Sequence, residues 1–428
     1  MRILYISYFF PPLGGPAVLR NLKIVKYLCR QDIQIDLITV KDIEYFYYDE
    51  SLLTEIPGLR VFRTPSLDPM AILRKLRRAK TGGSGELYKN TPERLKLIIR
   101  RLYPLDDKIG WLPFLIRQGK ELLKKQSYDL IFVSCGPFSS ALGAMLLSRS
   151  SGIPLVYDAR DYWTLLTDYD LQGWWQRKLA RLCEKRVLAH CSLFVAATEG
   201  IRLDSIEHFG SDLEPRSLTI YNGWDEEDFA QLQNTVQPPE VESFELAYFG
   251  SIYARRSLKH FYQAVAQLQK ESALPAHTAI KLYGSYTREI LAEIEQSGIK
   301  ELIHIIPSLP HTEALAAMQR ADLLLLLINS SSPRGTLTSK LFEYHRTGKP
   351  ILAMVPSGGE AAELLRSWGQ DHICAMESTS SIYACLKRLL AEHKSPRPYP
   401  LRTEFCREAQ IAKLHSHLLS LQRDAGKP

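Results

Sequence analysis

Short, continuously apolar runs alternate along this chain with helix-length segments and polar turns. In the first half the runs fall at residues 2–7, 35–40, 130–134, 155–157, 193–197 and 218–221, with helix-length segments at 17–30 and 139–149. A strand that is apolar on both faces is covered on both faces, so the rhythm predicts parallel sheets with crossover helices. After the turn Asn222, Gly223, Trp224, Asp225 the composition changes. Residues 226–243 are acidic and Gln-rich, contain Pro238 and Pro239, and read as a linker. The pattern restarts at 244–249 and continues at 280–283, 303–306, 323–328 and 351–355. The tail 403–423 has helical spacing behind the breaker SPRPYP, and a helix entered through such a bend can return to the first domain. The expected architecture is therefore α/β, with two Rossmann-like parallel-sheet domains. One domain spans 1–225 plus a returning helix at 403–425, and the other spans 226–402.

With 428 residues, 45% of them hydrophobic, the chain can bury two sizeable cores. Its net charge of +7 and pI near 8.9 are mild for this length, and the aromatics form no stacking platform, so nucleic acid is not expected as a partner. Seven scattered cysteines without a CxxC pair argue against a disulfide framework or a zinc site, and for a reducing compartment. MRILYISYFFPPLGG reads as a strand entering a loop rather than a signal peptide, and no run of 18 apolar residues offers a membrane span. A cytoplasmic protein is expected. Between residues 71 and 101 stand ten Lys or Arg against two acids. Within it, PERLKLIIRRLYPL lines Leu95, Ile98, Ile99 and Leu102 along one face with cations at the flanks. Such a helix suits either an anionic membrane surface at the inner face of the membrane or ordinary packing by its apolar stripe.

The richest chemistry lies in ADLLLLLINSSSPRGTLTSKLFEYHRTGKPILAMVPSGGEAAE, which reads as strand, polar loop, helix and strand. Thr338 and Ser339 are good N-cap residues, so a helix is expected to begin near Ser339. The positive end of that helix makes Gly335, Thr336, Leu337, Thr338 and Ser339 a candidate diphosphate cradle, assisted by Lys340. Glu343, one turn further in, is placed to accept bonds from two ribose hydroxyls. Three further loops follow strands at the end where parallel sheets bind ligands. Gly14 and Gly15 permit close backbone approach, or simply a tight turn. Asp158, Arg160, Asp161 and Trp163 bring charge and a ring that can stack on a sugar, or else a buried Arg–Asp pair that organises a loop. Gly250 and Ser251 lead to Arg255 and Arg256, which suit a diphosphate or form a solvated pair. His311 and His345 lack partners at metal spacing and are read as structural, and no metal site is expected.

Taken together, PPLGGPA, YDARDYW, TIYNGWD, YFGSIYARRS and TSKLFEYHRTGKPILA with GGEAAE resemble glycosyltransferases of the GT-B architecture, in particular the retaining, nucleotide-sugar-dependent family 4, over nearly the whole chain. The resemblance implies that the Gly-rich first loop, Gly14 and Gly15, approaches donor phosphates or acceptor, and that Arg256 matches the family's diphosphate-holding lysine. Glu343 matches the second glutamate of its Glu-x7-Glu motif. Two positions depart from the pattern: Gly335 stands where the first glutamate would be, and Ser251 where the family has an arginine. Sugar-hydroxyl recognition then falls to backbone N–H groups of 335–338. Pro307, Ser308 and Leu309 would lie near the nucleotide base. Asp161, Arg256 and Glu343 form the expected catalytic set, with no strong general base, Asp161 the first carboxylate to test for a role near the acceptor, and no metal or other cofactor required. The implied reaction moves a sugar, with retention, from a nucleoside diphosphate donor to a glycan or lipid-linked acceptor in cell-surface polysaccharide or glycolipid synthesis. Two rivals share these features: a sugar-nucleotide epimerase, and a catalytically degenerate sugar-nucleotide-binding subunit.

Overall fold

The structure is a computed structural model that describes all residues except 42, 44, 46–47, 70–71, 73–102, 167–172, 235–242, 253–256, 394–398 and 426–428. It divides into two compact units, Met1–Tyr221 with Arg407–Pro428, and Asn222–Cys406. The basic segment at 71–101 falls almost wholly outside the described residues.

In the first unit, strands β1 (Arg2–Ile6), β2 (Gln34–Val40), β3 (Arg60–Thr64), β4 (Leu130–Cys135), β5 (Leu155–Ala159), β6 (Leu193–Ala196) and β7 (Ser217–Thr219) form one sheet in the order β3-β2-β1-β4-β5-β6-β7. Every pairing is parallel, as between Ile3 and Ile35 or Ile131 and Leu155. All six residues of β4 and all five of β5 are buried, which accounts for the apolar runs at 130–133 and 155–157. Tyr5 of β1 stacks on Phe132 of β4 with ring centroids 4.8 Å apart. The strand β3 has no counterpart in the sequence reading. As the sheet edge it sets Arg60 and Arg63 on either side of Val61 and Phe62 and is only partly covered, so it carries no long apolar run. The C-terminal helix Arg407–Ala425 packs on this unit through Ile411, Leu414 and Leu418. Arg407 donates to the Leu19 carbonyl at 3.0 Å, and Gln410 accepts from the Tyr221 N–H at 2.8 Å.

In the second unit, β8 (Glu245–Phe249), β9 (Ala279–Tyr283), β10 (Ile303–Ile306), β11 (Leu323–Leu327), β12 (Ile351–Met354) and β13 (Ile373–Cys374) form a parallel sheet in the order β10-β9-β8-β11-β12-β13. Counted within the unit this is 3-2-1-4-5-6, the doubly wound order, and the first six strands of the other unit repeat it. The order reverses between β1 and β4, and again between β8 and β11. Each reversal opens a crevice at the carboxyl ends of those two strands, where ligands of such sheets bind. The loops that follow β8 and β11 thus carry Gly250 and Ser251 on one side and residues 328–339 on the other. No helix among the described residues is long and apolar enough to cross a membrane.

Candidate functional site

The crevice of the second unit is built from backbone that only small residues allow. Gly250, directly after β8, has φ +141, a conformation that side chains with a Cβ rarely adopt. A methyl group there would lie 3.1 Å from Lys340 Nζ and 3.3 Å from the Tyr248 hydroxyl oxygen. The Lys340 ammonium is therefore folded over the end of β8, although the two residues are far apart in sequence. Gly284, after β9, sits so close that a Cβ on it would overlap the Gly250 carbonyl. The Gly250 N–H donates to the Tyr283 carbonyl at 2.7 Å, and the Ser285 N–H to Ser251 Oγ at 3.4 Å. From the helix Lys340–Thr347, the buried Tyr344 hydroxyl accepts the Phe249 N–H at 3.2 Å, which fixes that helix against β8.

Gly335 is buried, and Thr336, Leu337, Thr338, Ser339 and Lys340 are half-buried. The helix begins at Lys340, with Ser339 in the cap position, but the capping expectation is corrected. Ser339 is already helical, with φ −57 and ψ −31, and no side chain caps the helix. Thr338 Oγ1 is buried without a hydrogen-bond partner among the described residues, as is Asn329 Oδ1 in the same loop. A buried hydroxyl and a buried amide oxygen left unmatched beside an uncapped helix start are what a site awaiting a polar ligand would show. Arg334 closes the loop's far side. Its guanidinium pairs with Glu363 at 3.0 Å, and its carbonyl accepts the Glu360 N–H at 2.9 Å.

Glu343 is buried in the first turn of this helix, and its Oε1 lies 3.0 Å from His311 Nε2. His311 Nδ1 in turn lies 3.8 Å from Asp228 Oδ2. His311 is thus no isolated structural histidine: it opens the helix His311–Arg320 directly after the loop of Pro307, Ser308 and Leu309, and holds the carboxylate expected to take the ribose. Its place just past the carboxyl end of β10 was the available signal. Pro307 and Ser308 are exposed and Leu309 half-buried. His345 fits its structural reading. It stacks on Trp368 at 4.1 Å, accepts the Arg402 N–H at 3.1 Å, and is pushed down to about 4 by burial and Arg402. Arg255 and Arg256 lie outside the described residues.

The first unit places its expected residues differently. Gly15 caps the helix Pro16–Cys29 at φ +100 with open space around its Cα, and Gly14 is buried beside it. Asp158 does not face a ligand. It is fully buried, bonded to Arg20 at 2.6 and 3.1 Å and to Ser134 Oγ at 2.6 Å. The expected alternative of a buried Arg–Asp pair is present, with Arg20 rather than Arg160 as its arginine. Arg160 instead donates to the carbonyls of Cys135 and Gly136 at 2.6 and 2.8 Å and so orders the loop after β4. Trp163 is likewise corrected: its ring is 1% exposed and stacked on Phe138 at 5.1 Å, so it offers no face to a sugar. Asp161, past the end of β5, is exposed to solvent.

Two sheets of one strand order, each with its switch point, place the chain among the doubly wound α/β proteins. Residues 17–223 match the family model of the glycosyl transferase 4-like domain. No curated protein matches the chain in sequence. Among solved structures, the sucrose-phosphate synthase of Thermosynechococcus elongatus superimposes with a TM-score of 0.67 at 13% identity, covering 99% of both chains. The Anabaena protein HepE in complex with UDP gives 0.56 at 16%, over 99% of this chain and 98% of its own. The UDP-GlcNAc 2-epimerase of Neisseria meningitidis bound to UDP-GlcNAc gives 0.59 at 13%, over 98% and 100%. At such identities the likeness is one of fold, and that fold is GT-B.

Proposed function

We propose that the protein is a glycosyltransferase that takes a nucleoside diphosphate sugar in the crevice between β8 and β11. The observation that carries the reading is the Lys340 ammonium folded over Gly250 beside an uncapped helix start, because a cation, a bare backbone and a helix dipole together suit a diphosphate. In this reading Glu343, steadied by His311, accepts the ribose hydroxyls, and the loop of Pro307, Ser308 and Leu309 meets the base. With Gly335 and Ser251 in place of charged residues, backbone N–H groups of 335–338 and the Thr338 hydroxyl meet the donor sugar. Arg255 and Arg256 add charge to the diphosphate. Transfer then needs little side-chain chemistry. The diphosphate is the leaving group, its charge is neutralised as it departs, and in a retaining reaction its oxygen takes the acceptor's proton. Asp161 of the first unit is the carboxylate assigned to a glycan or lipid-linked acceptor, in synthesis of a cell-surface polysaccharide or glycolipid.

The test is a thermal-shift and calorimetric screen with UDP, GDP, ADP, CMP and dTDP and their common sugars. A ligand that binds only the folded state stabilises it, by about 2.7 kcal/mol at a hundred times its Kd. One nucleotide should shift the wild type and fail to shift Lys340→Met. No shift with any nucleotide defeats the reading. Release of free nucleotide only when an acceptor is present separates transfer from epimerisation, which leaves the nucleotide on the sugar.

A further inference from the structure

The helix Trp174–His190 in the first unit is assigned nothing by the reaction above, yet its two faces differ sharply in chemistry. Gln176, Ala180, Cys183, Glu184, Val187 and Leu188 are buried, and Gln176 Oε1 accepts the Gly173 N–H at 2.8 Å to start the helix. Every other described position of high exposure lies on one side. Arg177, Lys178, Arg181, Lys185 and Arg186 are all exposed, and the helix's one acid, Glu184, points inward. Lys178, Arg181, Lys185 and Arg186 make no ion pair with any described residue. Between them runs an apolar ridge at heptad spacing, Trp175, Leu182 and Ala189, with Trp174 beside its start.

The tryptophans decide what this surface meets. The chain has six, and Trp111, Trp163, Trp224 and Trp368 are at most 1% exposed. The remaining two stand adjacent in the first turn of this helix, Trp174 at 73% and Trp175 at 45% exposure, with Leu182 at 45% further along. Leaving such rings in water is unfavourable unless something covers them. We propose that this face docks on an anionic lipid surface, with the helix lying in the plane of the interface. An indole has an apolar body and a polar N–H, which suits the headgroup level, and the long Lys and Arg stems can lie along the acyl boundary while their charges reach phosphates. The ridge stands on a helix seventeen residues long, roughly 25 Å at 1.5 Å per residue, and is convex rather than grooved. That shape favours a deformable bilayer over a folded acidic partner. The inference holds whether or not the donor reading above is correct.

The test uses the full chain and vesicles of phosphatidylcholine alone or with one-third phosphatidylglycerol, at low salt. Because the other four indoles are buried, iodide quenching and the red edge of the emission report on Trp174 and Trp175 alone. Phosphatidylglycerol vesicles should sediment the protein, shift its emission to the blue and protect it from iodide. Neutral vesicles should do none of these, and raised salt should reverse the effect by screening. Each cation near an anionic surface contributes about fivefold in partitioning, so Lys178→Gln, Arg181→Gln and Lys185→Gln together should weaken binding roughly a hundredfold. Trp174→Ser with Trp175→Ser should weaken it as well. Both variants should keep the wild-type melting temperature, as exposed substitutions do. Failure of the wild type to bind phosphatidylglycerol vesicles overturns the proposal. So does binding that survives in both variants, which would place the lipid contact elsewhere. Protection of the indoles by heparin or single-stranded RNA but not by vesicles would replace the lipid surface with a polyanion.

Discussion

Asp158→Asn should destabilise the first unit without touching the nucleotide site proposed in the second. The carboxylate is fully buried, receives two bonds from an Arg20 that is 3% exposed, and takes a third from Ser134. An asparagine keeps the shape and removes the charge, leaving a buried guanidinium that faces a neutral amide. Breaking one side of a buried ion pair costs about 3 to 5 kcal/mol, because desolvation of the remaining charge is no longer offset. At 1.4 kcal/mol per tenfold, amides of β1 and β5 should exchange with solvent roughly 140 to 3,700 times faster if their exchange reports unfolding of this unit. Hydrogen exchange followed by peptide mass spectrometry reads this directly and does not require the two units to unfold together. Replacing Arg20, Ser134 and Asp158 together by Met, Ala and Leu should recover most of the loss, since no charge then stays uncompensated. Acceleration of less than about tenfold in Asp158→Asn would refute the buried-pair account. A loss of acceptor turnover at unchanged stability would return Asp158 to the active site.

Glu343→Gln should weaken binding of the responsive nucleotide by about 1.5 to 3 kcal/mol, the scale of a hydrogen bond to a charged group, and unchanged calorimetric affinity would remove Glu343 from the site. His311→Gln should weaken it less than Glu343→Gln does, since in the proposed site His311 acts on the ribose only through that carboxylate. Gly250→Ala, with its methyl against Lys340 Nζ at a φ of +141, should lower nucleotide affinity and melting temperature together; a fully active, equally stable variant would show that the strand end is not constrained. Burial raises Glu184 from 4.5 to about 7, against the bonds it accepts from the N–H and hydroxyl of Thr164. Between those values the folded state holds a proton that the unfolded chain has released, so this group makes stability fall as pH rises, by up to about 1.4 kcal/mol per unit. Glu184→Gln should flatten that part of the stability profile of the first unit, and an unaltered profile from pH 5 to 8 would show that Glu184 stays ionised.

What the sequence showed of this molecule follows from the range over which its signals act. The runs in β4, β8 and β11 are apolar because both faces of those strands are covered, and that condition is written into consecutive residues. From it come the parallel sheets, the two nucleotide-type units and the loops at their carboxyl ends. The edge strand β3 and the helix Trp174–His190 went unread because their apolar residues are thinned by arginine and lysine, on a partly covered edge in one case and an exposed face in the other.

Side-chain direction within the site is a different kind of information, because partners there are set by topology. Asp158 and Asp161 stand three residues apart in one motif, yet Asp158 is still inside β5, in register with Ser134 of β4, and meets an arginine 138 residues earlier. Asp161 has left the strand and is exposed. The motif alone cannot separate them, since the strand's last residue decides which carboxylate the sheet layer encloses. The same holds where Lys340 meets Gly250 and His311 meets Glu343: each pair joins two strand ends brought together by a crossover, and neither residue's neighbours in sequence carry a trace of the other. A switch point therefore locates a site from strand order, while the identity of its working side chains depends on where each strand stops.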